Sequence, residues 1–187
     1  MYLFLVIMSG VCLAFQIPEL QSWATWDASA IVSGQWWRIL TGNLTHTNAM
    51  HLIMNIAGLW VITHLFKPTA KHVAFVLFFC SAVVGIALLA TEMQRYVGLS
   101  GVLHGLFGYF ALREALEGRK SSWLLVGGLV AKVAWEQSYG ASTSTSAMIN
   151  ARVAIEAHLV GALGGTLLAL LTLSVQKITA SDNESHE

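Results

Sequence analysis

The feature that most constrains the fold is a series of long apolar segments with almost no charge. We count six of them, near 1–16, 49–66, 72–90, 98–113, 121–138 and 152–175. Of the 187 residues, 56% are hydrophobic and 11% are charged, whereas globular proteins usually have about 25% charged residues. A soluble core of this length could not bury so much apolar surface. The sequence therefore predicts an all-α membrane protein with six transmembrane helices, for which the lipid bilayer is the solvent.

The remaining composition excludes several other classes. The formal net charge is zero and no basic patch or tail is present, so we expect no nucleic-acid partner. Cys12 and Cys80 both lie in apolar segments, where we predict small hydrophobic residues rather than a disulfide or metal pair. The sequence predicts one membrane domain over residues 1–178 and a disordered tail over residues 179–187.

The positive charges predict the orientation of the helices, because cytoplasmic loops of membrane proteins carry an excess of Lys and Arg. One side of the membrane receives Lys67, Lys71, Arg113, Arg119, Lys120 and Lys177, and the other receives Arg38, Arg95 and Arg152. We therefore expect a multi-pass protein with both termini in the cytoplasm. Residues 17–48 then form an outer loop that is too long for a plain connector.

Polar side chains occur at the outer ends of three apolar segments. His51 and Asn55 share a helix face at the start of the second segment, and Ser100 begins the fourth. His158 lies about two turns into the sixth, roughly 10 Å below its start. The fourth segment is too short to cross the bilayer, so Ser100 should start below the surface, at a depth similar to that of His158. Because polar groups in a bilayer are costly, we interpret these clusters as a functional site.

Glycine spacing predicts that the fourth and sixth helices are in contact. Gly101, Gly105 and Gly108 fall on one face of the fourth helix, and Gly161 and Gly165 continue the histidine-bearing face of the sixth. Small residues let membrane helices approach closely. Generic packing would explain these glycines, but not a serine and a histidine at the outer ends of the two stripes.

The convergent residues are suited to nucleophilic hydrolysis. A serine hydroxyl such as that of Ser100 becomes a good nucleophile when a base takes its proton, and His158 is a suitable base. The developing oxyanion needs hydrogen-bond donors. Backbone N–H groups at the start of the fourth helix could donate, as could the side chains of His51 and Asn55.

Each polar residue also has a simpler explanation. Ser100 could only cap its helix, and His158 could be a buried, hydrogen-bonded histidine. Asn55 could join two helices, and His46 could be an ordinary loop residue. The combination of matched depth and orientation favours a functional site.

A metal site is the strongest alternative chemistry, with four possible ligands: His46, His51, His104 and His158. Zinc proteases usually contain His-Glu-x-x-His, and this sequence does not. We therefore expect no metal and no other cofactor. The segment Gly98-Leu99-Ser100-Gly101-Val102 also differs from the Gly-x-Ser-x-Gly elbow of soluble hydrolases.

Several motifs occur together with the six apolar segments: Trp37-Arg38, His46-x4-His51-x3-Asn55, Gly98-Leu99-Ser100-Gly101 and Ala157-His158-x2-Gly161-x3-Gly165. In this combination the chain resembles the rhomboid family of intramembrane serine proteases over nearly its whole length. The resemblance implies a six-transmembrane-helix rhomboid-like bundle. It also implies that Ser100 is the nucleophile and His158 the general base.

The resemblance assigns further roles. It implies an oxyanion hole formed by His51, Asn55 and the backbone N–H of Ser100. It implies that Gly98 lets the substrate backbone approach. Supporting positions are Gly98, His46, His104, Gly161 and, in the structured first outer loop, Trp37 and Arg38.

Two features resemble the rhombosortase subgroup in particular. Bacterial rhomboids often carry tyrosine four residues after the serine, and here that position is His104. The fifth segment contains Lys132-x3-Glu136, for which we predict an ion pair rather than separate contacts with the membrane interface. His104 could stack on His158, share its proton or contact the substrate.

The resemblance implies an intramembrane serine protease that cuts membrane-anchored proteins near a glycine-rich C-terminal sorting segment followed by a transmembrane helix. It implies the bacterial inner membrane, with the active site open to the periplasm. The alternatives are a general rhomboid protease of other single-span substrates and a catalytically silent rhomboid-like binder. A transporter with a histidine proton relay is a third alternative, which the lack of a visible inverted repeat disfavours.

Overall fold

The computed structural model describes residues 1–184, with side chains described up to Val175. Six longer helices form the body of the chain: α1 (Tyr2–Ala14), α5 (Ala49–Phe66), α6 (Ala70–Ala87), α7 (Ser100–Leu116), α8 (Ser122–Tyr139) and α10 (Ile155–Glu184). The connections contain shorter elements: α2 (Pro18–Ala24), β1 (Trp26–Asp27), α3 (Ala28–Val32), α4 (Arg38–Thr41), β2 (Arg95–Tyr96), α9 (Thr143–Ile149), and two 3₁₀ turns at Gly42–Leu44 and Leu88–Ala90.

The chain is a mostly helical membrane protein. In the described part, three helices are long and apolar enough to cross a membrane: Ala49–Phe66, Ala70–Ala90 and Ile155–Val175. A fourth span is present if α1 and α2, which are bent by 99° relative to each other, count as one. A helix is therefore found at each of the six predicted segments, but length and hydropathy alone identify only three or four of them as spans.

Some helix boundaries differ from the predicted ones. The sixth helix begins at Ile155, three residues later than predicted, because residues 152–154 are not helical. Helix α10 continues to Glu184 and so includes part of the segment 179–187, for which the sequence predicts a disordered tail. Residues 185–187 lie outside the described residues.

Helix α7 lies at the centre of the bundle. Its buried positions occupy all of its faces, because α5, α6, α8 and α10 pack around it. Cys80 of α6 packs against the backbone at Gly105 of α7. Cys12 and Cys80 are buried free thiols, which confirms their prediction as small hydrophobic residues.

The glycine stripes of α7 and α10 face each other. A Cβ atom added to Gly161 would lie less than 3.0 Å from the carbonyl oxygen of Gly101, and one added to Gly165 would meet Gly105 in the same way. Glycine is required here because the two backbones are in direct contact. The predicted contact between the fourth and sixth helices is confirmed.

The predicted outer loop over residues 17–48 is structured and is fixed to the segment before α7. Strand β1 pairs with β2 in antiparallel register, with Trp26 opposite Tyr96 and Asp27 opposite Arg95. The indole N–H of Trp26 donates to the carbonyl oxygen of Gly85 in α6 at 2.9 Å. These contacts fix the loop against α6 and against the segment that leads into α7.

The connection between α8 and α10 contains the short helix α9. The hydroxyl of Thr47 donates to the carbonyl oxygen of Ile149 at 2.7 Å. The side-chain amide of Asn48 donates to the carbonyl oxygen of Met148 at 3.0 Å. These bonds hold α9 against the start of α5.

Candidate active site

The site begins at the turn that leads into α7. The hydroxyl of Tyr96 donates to the carbonyl oxygen of Gly98 at 2.6 Å, and the Gly98 N–H donates to the carbonyl oxygen of Gly42 at 3.2 Å. Gly98 has a φ of +123°, in the region that favours glycine. A Cβ atom there would lie 2.7 Å from the ring of His51. This turn places Ser100 as the first residue of α7.

Ser100 and His158 meet across the contact between α7 and α10. The hydroxyl oxygen of Ser100 lies 2.9 Å from Nε2 of His158, within hydrogen-bond range. The histidine is buried and lies one turn into α10, rather than the predicted two turns, because the helix begins at Ile155. The geometry allows transfer of the serine proton to the imidazole.

The other ring nitrogen of His158 contacts a carboxylate. Its Nδ1 lies 2.8 Å from Oε2 of Glu136, and both side chains are buried. The second oxygen of Glu136 accepts a hydrogen bond from the ammonium of Lys132, one turn earlier on α8. The predicted ion pair between Lys132 and Glu136 is confirmed. The contact of Glu136 with His158 is not predicted by the sequence.

His51 and Asn55 lie on the α5 side of the site. The backbone N–H and the hydroxyl of Thr47 lie 3.4 and 3.1 Å from Nδ1 of His51. Because a backbone N–H can only donate, its bond makes Nδ1 the acceptor and leaves Nε2 as the N–H donor of the neutral ring. The amide of Asn55 donates one hydrogen to the carbonyl oxygen of His51 at 3.0 Å, and its second N–H remains for another acceptor.

These side chains line one cavity of about 510 Å³. Its lining includes Ser100 and His158 together with His51, Asn55, His104, Lys132 and Glu136, and also residues of α9 and of the β2 segment. The cavity lies between α5 and α8. It is large enough for an extended peptide segment and has a nucleophile, a base and nearby N–H donors.

Comparison with known proteins gives the family. A sequence profile of the Rhomboid domain matches residues 33–175. The chain belongs to the rhomboid family. It is also similar to a Bacillus subtilis (strain 168) protein described as "Putative rhomboid protease YdcA", with 29% identity over 149 residues. The alignment covers 75% of this chain and 69% of that protein. This rhomboid is therefore an intramembrane serine endopeptidase, a multi-pass integral membrane protein that acts on membrane protein substrates.

In this rhomboid, His104 stacks on His158. The ring centroids are 4.1 Å apart and the planes are inclined by 15°. Nδ1 of His104 lies 2.8 Å from the carbonyl oxygen of Ser100, which can only accept, so Nδ1 carries the hydrogen. Of the three roles open from the sequence, the structure contains the stacking, and parallel rings do not point nitrogen atoms at each other. Because His104 also lines the cavity, its contact with the substrate stays a prediction.

The residues that could ligate a metal in the structure differ from the four histidines that the sequence suggested. Among the described side chains, the atoms that could ligate a metal lie within 4.8 Å of one another at His104, Glu136 and His158, rather than at four histidines. Both nitrogens of His158 and both oxygens of Glu136 already have hydrogen-bond partners. A metal would have to displace these bonds, so the donor set is a poor fit to a metal centre.

The predicted supporting residues of the outer loop lie outside the cavity. The Arg38 guanidinium donates to the carbonyl oxygens of Ser22 and Thr25 at 2.9 and 2.6 Å. Trp37 stacks on Trp23 with centroids 5.3 Å apart. Both residues therefore hold the outer loop together rather than contact Ser100.

His46 also contributes to the packing of the loop rather than to the cavity lining. It is fully buried, and its ring packs edge-on against His51 with centroids 5.0 Å apart. It is therefore not an ordinary surface-loop residue, and it supports the ring that faces Gly98.

One signal in the sequence could have identified the contact between Glu136 and His158. Glu136 lies near the outer end of the fifth apolar segment, where an ionisable residue is a candidate for the polar site. The i, i+4 spacing already gives Glu136 a partner in Lys132. The direction in which Glu136 points around α8 was not predictable from spacing alone.

Proposed function

We propose that this rhomboid is a rhombosortase-like protease that cuts membrane-anchored proteins near a glycine-rich C-terminal segment. The observation that carries the proposed chemistry is the 2.9 Å contact between Ser100 Oγ and His158 Nε2 inside the cavity. The assignment to the subgroup is supported by His104 stacked on His158 and by the Lys132–Glu136 pair.

Ser100 is the proposed nucleophile and His158 the proposed general base. The serine oxygen bonds to the scissile carbonyl carbon, its proton moves to Nε2, and the carbonyl electron pair moves to the carbonyl oxygen. When the tetrahedral intermediate collapses, the C–N bond breaks and Nε2 gives the proton to the leaving amine. The acyl-enzyme is then released by water, which regenerates the serine hydroxyl.

The proposed oxyanion hole consists of His51, Asn55 and the backbone N–H of Ser100. The first N–H groups of a helix have no partner within the helix and point towards its N-terminus, so that of Ser100 can donate to a developing negative charge. The Nε2–H of His51 lies beside Gly98, and Asn55 has a second amide hydrogen. Gly98 leaves room for the substrate backbone.

The proposed membrane domain covers residues 1–178 and has six spans, formed by α1, α5, α6, α7, α8 and α10. Helix α7 is shorter and more polar than a free-standing span, which a bundle tolerates because protein surrounds this helix. The distribution of Lys and Arg places both termini in the cytoplasm. The cavity then opens to the periplasmic side of a bacterial inner membrane.

The proposed substrate has a glycine-rich segment ahead of its transmembrane helix. A helix must unwind locally to expose a carbonyl, because its carbonyls are engaged in its own hydrogen bonds. Glycine favours unwinding, since it destabilises a helix by about 1 kcal/mol relative to alanine. Single-span substrates without this segment are the alternative for the same chemistry.

The test is a reporter with a Gly-Gly segment, an apolar helix and a basic cytoplasmic end, co-expressed with wild type or with Ser100→Ala. Processing by wild type alone is the expected result. Equal processing in both strains would reject Ser100 as the nucleophile. Equal cleavage after Gly-Gly→Leu-Leu would indicate a general rhomboid specificity. A wild-type protein that neither cuts nor reacts with a fluorophosphonate would be a silent binder.

A further inference from the structure

Glu136 is a nearly fully buried carboxylate that touches the proposed base. Only 4% of its side chain is exposed, and 6% of that of His158. Burying a carboxylate costs several kcal/mol unless both oxygens have partners. Here Oε2 lies 2.8 Å from Nδ1 of His158 and Oε1 accepts from Lys132. Because both oxygens are engaged, the orientation of the carboxylate is fixed.

The carboxylate determines which nitrogen of His158 carries the hydrogen. An ionised carboxylate can only accept hydrogen bonds, so Nδ1 must donate. In the neutral ring, Nε2 is then without hydrogen and presents its lone pair to the hydroxyl of Ser100, 2.9 Å away. This is the tautomer that can remove the serine proton.

The remaining contacts hold the imidazole ring in place. Glu136 lies at one edge, Ser100 at the other, and His104 covers one face at 4.1 Å. When the ring takes the serine proton it becomes a cation, and the carboxylate beside it stabilises that charge. Lys132, whose side chain is 54% exposed, balances the charge of Glu136 in the resting state.

We propose that Glu136 is a positioning residue that completes a Ser100–His158–Glu136 triad, with Lys132 holding the second carboxylate oxygen. The inference rests on the proposed roles of Ser100 and His158. Glu136 acts through His158 and does not touch the reacting atoms.

Glu156 provides a matched control. It lies two residues before His158 on α10 and forms an ion pair with Arg152 in the same i, i+4 spacing. Its carboxylate accepts from Arg152, whereas the two ring nitrogens of His158 bond to Glu136 and Ser100. Glu156→Gln therefore removes the same charge from the same neighbourhood without removing the contact.

The kinetic test uses full-length protein in detergent and the Gly-Gly reporter. In a soluble serine protease, changing the triad aspartate to asparagine lowers kcat by about 10⁴-fold. For Glu136→Gln we expect kcat to fall by about 10²-fold or more with little change in KM, and labelling of Ser100 by a fluorophosphonate to slow in parallel. Glu136→Asp should recover part of the loss, and Glu156→Gln should behave like wild type.

The tautomer is measured directly by ¹⁵N-histidine NMR, with the His158 signals assigned by comparison with His158→Asn. We expect hydrogen on Nδ1 and none on Nε2 in wild type, and loss of this fixed tautomer in Glu136→Gln. A wild-type ring with its hydrogen on Nε2 would overturn the proposal, even if the variants fail to fold. So would a folded Glu136→Gln protein with wild-type kcat.

The two proposals fail in different ways. If Ser100→Ala still cuts the reporter, the Ser–His chemistry itself is wrong. If Ser100→Ala is inactive but Glu136→Gln is fully active, the Ser–His chemistry stands and the triad is rejected.

Discussion

Gly161 of α10 lies directly against the backbone of Gly101 in α7, with no space for a Cβ atom between them. Gly101 follows Ser100 by one residue, and Gly161 follows His158 by three residues. The closeness of the helix backbones at this point is therefore what allows a short serine side chain to reach the imidazole. The packing of the bundle and the geometry of the site depend on the same contact.

Gly161→Ala should separate the two helices. The new methyl group would overlap the carbonyl oxygen of Gly101, and overpacking a tight contact costs about 1–3 kcal/mol. We expect a lower Tm in detergent and slower fluorophosphonate labelling of Ser100. Gly127→Ala is the control, because a Cβ atom there meets nothing within 4 Å and alanine favours the helix. A Gly161→Ala protein as stable and as reactive as wild type would contradict this account.

Removing the proposed oxyanion donors should affect turnover more than binding. Asn55→Ala and His51→Ala each remove a donor that acts mainly in the transition state, and one such donor is worth about 10²–10³ in kcat in a soluble protease. We expect kcat for the reporter to fall in each variant while KM changes little. An unchanged kcat in the double variant would assign both residues to packing.

His104→Tyr tests the stacking role. A tyrosine ring can cover His158 but cannot replace the hydrogen bond that Nδ1 of His104 donates to the carbonyl oxygen of Ser100. We expect reduced but measurable cleavage of the reporter by His104→Tyr and a larger loss in His104→Ala. An inactive tyrosine variant with unchanged circular dichroism would favour a role for His104 in proton transfer or substrate contact.

His46 should make the fold sensitive to acid. Burial lowers the pKa of His46 from 6.5 to about 3. Between these values the unfolded chain binds a proton that the folded chain does not, so unfolding becomes easier as the pH falls. The stabilisation is complete above pH 6.5 and is lost as the pH approaches 3.

The measurement is the Tm in detergent between pH 7 and about 4. We expect the Tm of wild type to fall more steeply than that of His46→Gln. His64→Gln is the control, because His64 is an exposed histidine at the end of α5. Parallel curves for wild type and His46→Gln would contradict a buried neutral His46.

The sequence by itself determined the class of the fold and the helix ends that carry the site. Apolar segments of known length, separated by charges, predict where each helix begins and ends, because helix rise is constant. The outer ends of the apolar segments predicted that Ser100 and His158 lie near each other, and the glycine stripes identified the helices that touch. The i, i+4 spacing was enough to pair Lys132 with Glu136.

Only the tertiary structure decided how each helix is rotated and what its polar groups face. Lys132 and Glu136 satisfy each other on one helix, so local spacing gives no reason to look for a third partner. The contact of Glu136 with His158 arises from the packing of α8 and α10 around α7. In the same way, His104 faces His158 because α7 and α10 are held together by glycines. Such contacts depend on rotation about the helix axis, which the lengths and spacings of apolar segments leave undetermined.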